Sequence, residues 1–141
     1  MVRVCTIVAR NYLSHARILA RSFAAVHPGG EFTVLLIDDE SRTVDGAAAP
    51  FRCLRLSDIG LPLDEIARLA AFYDVTELAT AVKPPLLRHL LGEGGTEVIY
   101  LDPDIKVYGP LGEAGRLARQ RRKVLPHSLS QTTYTACRSR A

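Results

Sequence analysis

The 141-residue chain has no apolar run approaching the roughly 18 residues that span a bilayer. Its opening, V-R-V-C-T-I-V, is too short in its apolar part and too β-branched for a secretory signal, so a cytoplasmic protein is expected, at most peripheral to a membrane. Cysteine is scarce: Cys5, Cys53 and Cys137 are odd in number, far apart and form no C-x-x-C pair, which speaks against a disulfide framework and against a zinc site. His15, His27, His89 and His127 form neither H-x-x-x-H nor H-E-x-x-H. Ser14 and Ser22 lack a G-x-S-x-G setting, so nucleophilic serine chemistry has no support. Internal repeats are absent. The charge excess is only +3, and aromatics make up just 6% of the chain, too few to interleave a long basic face. The one dense basic cluster, Arg116, Arg119, Arg121, Arg122 and Lys123, falls at the end of an expected helix, where the helix dipole favours it. No nucleic-acid partner is expected.

What is present, 48% apolar and 23% charged residues, is the composition of one globular domain. Val2 to Ala9 is a nearly continuous β-branched run, as in a strand covered on both faces of a parallel sheet. Asn11 is a good N-cap for a helix in which Leu13, Ala16, Ala20, Phe23, Ala24 and His27 recur at helical spacing until P-G-G stops it. Phe32 to Ile37 completes a right-handed βαβ unit. Residues 41–51 read as a loop, and Arg52 to Leu56 as a short alternating strand with Cys53 inward and Arg55 outward. A helix is expected over Leu63 to Ala71, and another from Asp74, where D-V-T-E forms a capping box. Pro84 and Pro85 predict a kink at Lys83 and a restart through Leu86, Leu87, Leu90 and Leu91. Glu97 to Leu101 and Ile105 to Tyr108 read as strands, and Leu111 to Arg122 as an amphipathic helix. The fold class is α/β.

The sharpest feature is V-I-Y-L-D-P-D, an apolar strand ending in Asp102 and Asp104. In an extended segment two residues at i and i+2 point the same way, about 7 Å apart, and the intervening proline fixes one torsion. Open α/β sheets bind ligands at the carboxyl ends of their strands. Carboxylates suit a hard cation such as Mg2+ or Mn2+, and that cation can hold a diphosphate. A solvated turn explains the same residues equally well, since D-P and P-D are common turn dipeptides.

In its wider setting, Y-L-D-P-D-I-K-V-Y-G-P-L resembles the metal-binding D-x-D motif of GT-A-type nucleotide-sugar glycosyltransferases, closest to the group related to glycosyltransferase family 8. T-I-V-A-R-N-Y-L-S-H-A-R-I-L-A-R-S-F resembles the opening of those enzymes, and Y-D-V-T-E-L-A-T-A-V-K-P-P-L-L-R-H-L-L resembles their middle. The three segments occur in the family's order and span about residues 3–126. The resemblance implies a GT-A-like, Rossmann-like, mostly parallel sheet flanked by helices. It also implies transfer of a sugar from a nucleotide-diphosphate sugar, UDP-sugar being favoured, to a saccharide or lipid-linked acceptor. Carried over, Ala9, Asn11 and Tyr12 lie against base and ribose, Lys83 contacts phosphate, and Asp102 and Asp104 bind Mn2+ or Mg2+ and the diphosphate, Asp102 also reaching the nucleotide-sugar. Asp38 is either a base contact or, more simply, a capping or loop carboxylate.

In that family a further metal ligand and the acceptor and catalytic groups come from a C-terminal half. Here the resemblance fades after Pro126, where residues 127–141 lose any period, and His127 follows the D-x-D too closely to be that ligand. The expectation is a nucleotide-binding part over 1–126, a poorly structured tail over 127–141, and a fold incomplete at its C-terminus, with catalytic residues unassigned. One alternative is an inactive nucleotide-binding fragment. Another is a haloacid-dehalogenase-type phosphohydrolase, which needs a small hydroxyl residue where this chain has Lys106 and carries its D-x-D near the N-terminus.

Overall fold

The computed structural model describes residues 1–38, 50–94, 97–112 and 135–137. The elements are β1 (Arg3–Val8), a 3-10 turn (Arg10–Tyr12), α1 (Leu13–Val26), β2 (Glu31–Leu36), β3 (Arg52–Arg55) and a second 3-10 turn (Ser57–Ile59). They continue with α2 (Leu63–Phe72), α3 (Val75–Ala81), α4 (Lys83–Gly92), β4 (Val98–Tyr100) and β5 (Thr135–Cys137). The sheet order is β3-β2-β1-β4-β5. The first four strands are parallel, with Val8 opposite Leu36 and Cys5 opposite Tyr100, and β5 runs antiparallel to β4. This is the α/β class read from the sequence. The pairing of Thr135–Cys137 is one that no period in 127–141 announces; the rest of that stretch, His127, the basic cluster and nearly all of the expected 111–122 helix lie outside the described residues.

Period-two alternation along β1 divides the core. Val4 and Val8 face α1 together with Ala16, Leu19, Ala20 and Phe23, whereas Cys5, Ile7 and Ala9 face α3 and α4 through Leu78, Val82, Leu86 and Leu90. Both faces are covered, so the strands need no polar side, which is why they read as continuous apolar runs. Cys5 is fully buried, and desolvation pushes its thiol up to about 12, consistent with a small core filler. Gly30 is required where β2 begins, since a Cβ there would meet the Phe23 ring at 2.5 Å.

Several local readings change. Asn11 does not cap α1: it sits inside the 3-10 turn, exposed, and the helix follows from Tyr12 with no side-chain cap. Ala24 is exposed, and Leu19 takes its place in the core. In β3 the buried residue is Leu54; Cys53 and Arg55, two positions apart, share the other face and are both half-buried. In α2, Ile66 and Leu69 pack partly on the core while Leu63 and Phe72 are exposed. The break before Pro84 falls at Val82 rather than Lys83, and both prolines occupy the first turn of α4, where an amide hydrogen has no helical partner to lose. The Asp74 capping box forms as expected, with Asp74 Oδ1 accepting from the amides of Thr76 and Glu77 at 2.8 Å and Glu77 accepting from the Asp74 amide at 3.2 Å.

Ile105 to Tyr108 is not a strand. The segment leaves the sheet and crosses α1, where Ser22 Oγ accepts from the Val107 amide at 3.0 Å and His27 Nε2 accepts from the Leu111 amide at 2.9 Å. Val107 and Leu111 are buried beneath it. The alternation of Ile105, Val107 and Leu111 therefore marks packing on a helix, with side-chain acceptors in place of a neighbouring strand.

Candidate functional site at the carboxyl ends of β1 and β4

From β1 the chain moves outward to β2 and β3, then returns over α2, α3 and α4 to place β4 on the other side of β1. The gap between β1 and β4 is thus the point where strand order reverses, the usual location of a ligand in an open α/β sheet. A cleft of about 190 Å3 lies there. Ala9 and Tyr12 line it from beyond the end of β1, Ile37 from just after β2, Val75, Thr76, Ala79 and Thr80 from α3, and Lys83, Tyr100, Asp102 and Pro103 complete it. The capping box at Asp74 fixes the start of α3 and so the aim of its threonines.

The β1 wall is held from outside. Both carboxylate oxygens of Asp38 accept from the Arg10 amide, at 2.8 and 3.0 Å, and the Tyr12 amide donates back to the Ala9 carbonyl at 2.9 Å. Asp38 thus acts as a loop carboxylate, and it is not among the residues that line the cleft. Tyr12 is 47% exposed, with its ring against His15 at 5.0 Å between centroids.

The opposite wall carries charge. Lys83 Nζ lies 3.8 Å from Asp102 Oδ1 and 4.3 Å from the centroid of the Tyr100 ring. Tyr100 is 2% exposed, and its phenol is pushed well above the ordinary tyrosine range, first by burial and then by the charge of Asp102 and a hydrogen bond to it. Tyr100 was not singled out from the sequence; its only signal is that it precedes the D-x-D by two residues and so shares a side with Asp102.

The two aspartates are not an extended pair. The Ile105 amide donates to the Asp102 carbonyl at 3.2 Å and closes a turn with Pro103 and Asp104 at its centre, because proline's fixed φ favours the second turn position. Asp102 is half-buried and lines the cleft, whereas Asp104 is exposed and does not. The cleft thus brings together Ala9, Tyr12, Lys83 and Asp102; Asn11 and Asp104 do not line it. Among the described residues no group of three or more His, Cys, Asp or Glu is arranged to hold a metal ion. Two carboxylate oxygen donors on one turn still fit a hard divalent cation, since Mg2+ commonly takes one or two carboxylates and completes its shell with water and substrate phosphate.

A larger cavity, about 550 Å3, opens at the amino ends of the strands. Its charged side chains pair with one another: Arg52 forks onto Glu93 with two bonds of 2.8 Å, and Arg3 bonds Glu31 at 2.8 Å and Glu93 at 3.2 Å. That end of the sheet is closed by structural ion pairs, so the smaller cleft is the candidate site.

No helix of the described residues is long and apolar enough to cross a membrane. No family model and no curated protein matches the chain. Among solved structures it is similar to an active-site mutant of LgtC, with 19% identity and a TM-score of 0.52, over 80% of this chain and 41% of that one. It is also similar to the galactosyltransferase LgtC in complex with donor and acceptor sugar analogs, with 21% identity and a TM-score of 0.50, over the same shares. The chain therefore spans less than half the length of those structures. The four parallel strands flanked by helices are, over the described residues, the GT-A-like, Rossmann-like fold that the sequence resemblance implies.

Proposed function

We propose that this chain carries the nucleotide-sugar half-site of a glycosyltransferase that moves a sugar from a nucleotide-diphosphate donor, UDP-sugar being favoured, to a saccharide or lipid-linked hydroxyl. The observation that carries the reading is the convergence of Ala9, Tyr12, Lys83 and Asp102 on one cleft at the sheet's switch point. In this reading base and ribose lie against Ala9, Tyr12 and the apolar floor, Asn11 approaches from the rim, and Lys83 faces the diphosphate. Asp102 and Asp104 hold Mn2+ or Mg2+, which when bound stabilises the leaving nucleoside diphosphate. Thr76 and Thr80 add hydroxyls on the facing wall.

A second reading is a nucleotide-binding part without turnover of its own, because the residues lining the cleft account for the nucleotide-sugar and assign no acceptor or catalytic group. The two readings share the half-site and differ in catalysis. Calorimetric titration of the chain with UDP and GDP, with and without Mn2+, tests the half-site. Mn2+-dependent binding that is lost in the Asp102→Ala/Asp104→Ala double variant supports it, and its absence from a folded chain refutes it. Sugar transfer or donor hydrolysis by the same preparation separates the two readings.

A further inference from the structure

Lys83 is placed against the electrostatics of its own helix. It begins α4, where the macrodipole disfavours a cation, and no acidic residue stands in that first turn. Its ammonium instead has Asp102 Oδ1 at 3.8 Å and the Tyr100 face at 4.3 Å. Among the described residues lining the cleft it is the one cation.

The contact has the geometry of an exchangeable counter-ion. A tight ammonium–carboxylate bond is about 2.7–2.9 Å long, so at 3.8 Å the two charges neutralise each other without being locked together. Both side chains are about one-third exposed, at 30% and 33%. The lysine stem is flexible, whereas Asp102 sits on a turn closed by the Ile105 amide at 3.2 Å, and Tyr100 beneath the ammonium is buried. The carboxylate is thus the fixed partner and the ammonium the movable one.

We propose, on the basis of the half-site reading above, that Lys83 is the resident counter-ion of Asp102 and is exchanged when that carboxylate takes a divalent ion, turning then to the nucleoside diphosphate. Lys83 and the ion compete for one carboxylate and repel each other, so the ion alone binds weakly. A diphosphate in the cleft gives the displaced ammonium a new anionic partner and relieves the conflict. Metal and nucleotide therefore bind as a coupled pair, and each raises the affinity for the other by the same factor.

The test is Mn2+ titration of the metal-free full chain, without nucleotide, for wild type, Lys83→Met, Lys83→Gln and Lys83→Arg. Removing the charge is expected to tighten Mn2+ binding about threefold or more, while UDP binding in the presence of Mn2+ weakens about tenfold or more. Lys83→Arg, which keeps the charge, stays near wild type for Mn2+. Thermal melting confirms that each variant is folded, and Met and Gln provide two independent neutral side chains. Unchanged or weaker Mn2+ binding in both neutral variants overturns the inference while leaving the half-site intact. A folded wild-type chain with no Mn2+-dependent UDP binding overturns the half-site and the inference with it.

Discussion

Asp38 grips the Arg10 amide with both carboxylate oxygens, at 2.8 and 3.0 Å, and so ties the carboxyl end of β2 to that of β1. The tie fixes the turn that carries Ala9 and Tyr12 into the cleft. Asp38→Ala is expected to cost about 1–2 kcal/mol in urea denaturation, toward the low end for a charged hydrogen bond because the site is exposed. Asp38→Asn keeps one acceptor and is expected to lose less. An equal loss in both variants would mean that the geometry of the bond is irrelevant to its contribution.

The Asp74 capping box sets the register of α3, and α3 presents Thr76 and Thr80 to the cleft. Asp74→Ala leaves the Thr76 and Glu77 amides without their acceptor and is expected to destabilise by about 1 kcal/mol. The same change frays the first turn of α3, which hydrogen exchange at Glu77 and Leu78 would detect. Unaltered exchange there would show that packing of Leu78 alone holds the turn.

The sequence carried the parallel sheet, the capping box and, to within one residue, the proline break because each depends on neighbours a few positions apart: the continuous apolar run of β1, Asp74 with Glu77, and Pro84 and Pro85 with the residue just before them. It could not carry the strap from Ile105 to Leu111, whose acceptors Ser22 and His27 lie 85 and 84 positions away. The same limit hid the cleft chemistry of Tyr100. It read correctly as a strand residue, but only the packing of α4 beside β4 puts the Lys83 ammonium over its ring. Asp102 and Asp104 were legible as a pair, and the turn was one of the two readings left open, because a proline between two aspartates is compatible with both an extended arm and a turn.

Acid should weaken the amino end of the sheet. The forked bond from Arg52 holds the Glu93 carboxyl below its ordinary range, with partial burial opposing. A group whose folded pKa is depressed contributes stability that is present above its unfolded value, near 4.3, and that is lost as pH falls through the lower folded value. Melting temperature from pH 6 to pH 3 should therefore fall more steeply in wild type than in Glu93→Gln, the two curves converging at the acid end. Parallel curves would assign the acid sensitivity to other carboxylates.

The strap supplies the last test, because it links the core to the aspartate turn. Ser22 Oγ donates to the Leu19 carbonyl at 2.8 Å and accepts from the Val107 amide at 3.0 Å, so one hydroxyl joins α1 to the segment that follows Asp104. Ser22→Ala removes the acceptor while Val107 stays buried, and an amide left unpaired in such a place costs about 1–3 kcal/mol. The loss is expected to be local. Exchange at Ile105 and Val107 should accelerate while the amides of β2, paired on both sides within the sheet, keep their protection. Ser22→Thr retains the hydroxyl and should restore slow exchange. If Ser22→Ala leaves Ile105 and Val107 as protected as before, burial of Val107 and Leu111 is sufficient to hold the strap, and the aspartate turn is positioned by packing rather than by hydrogen bonding.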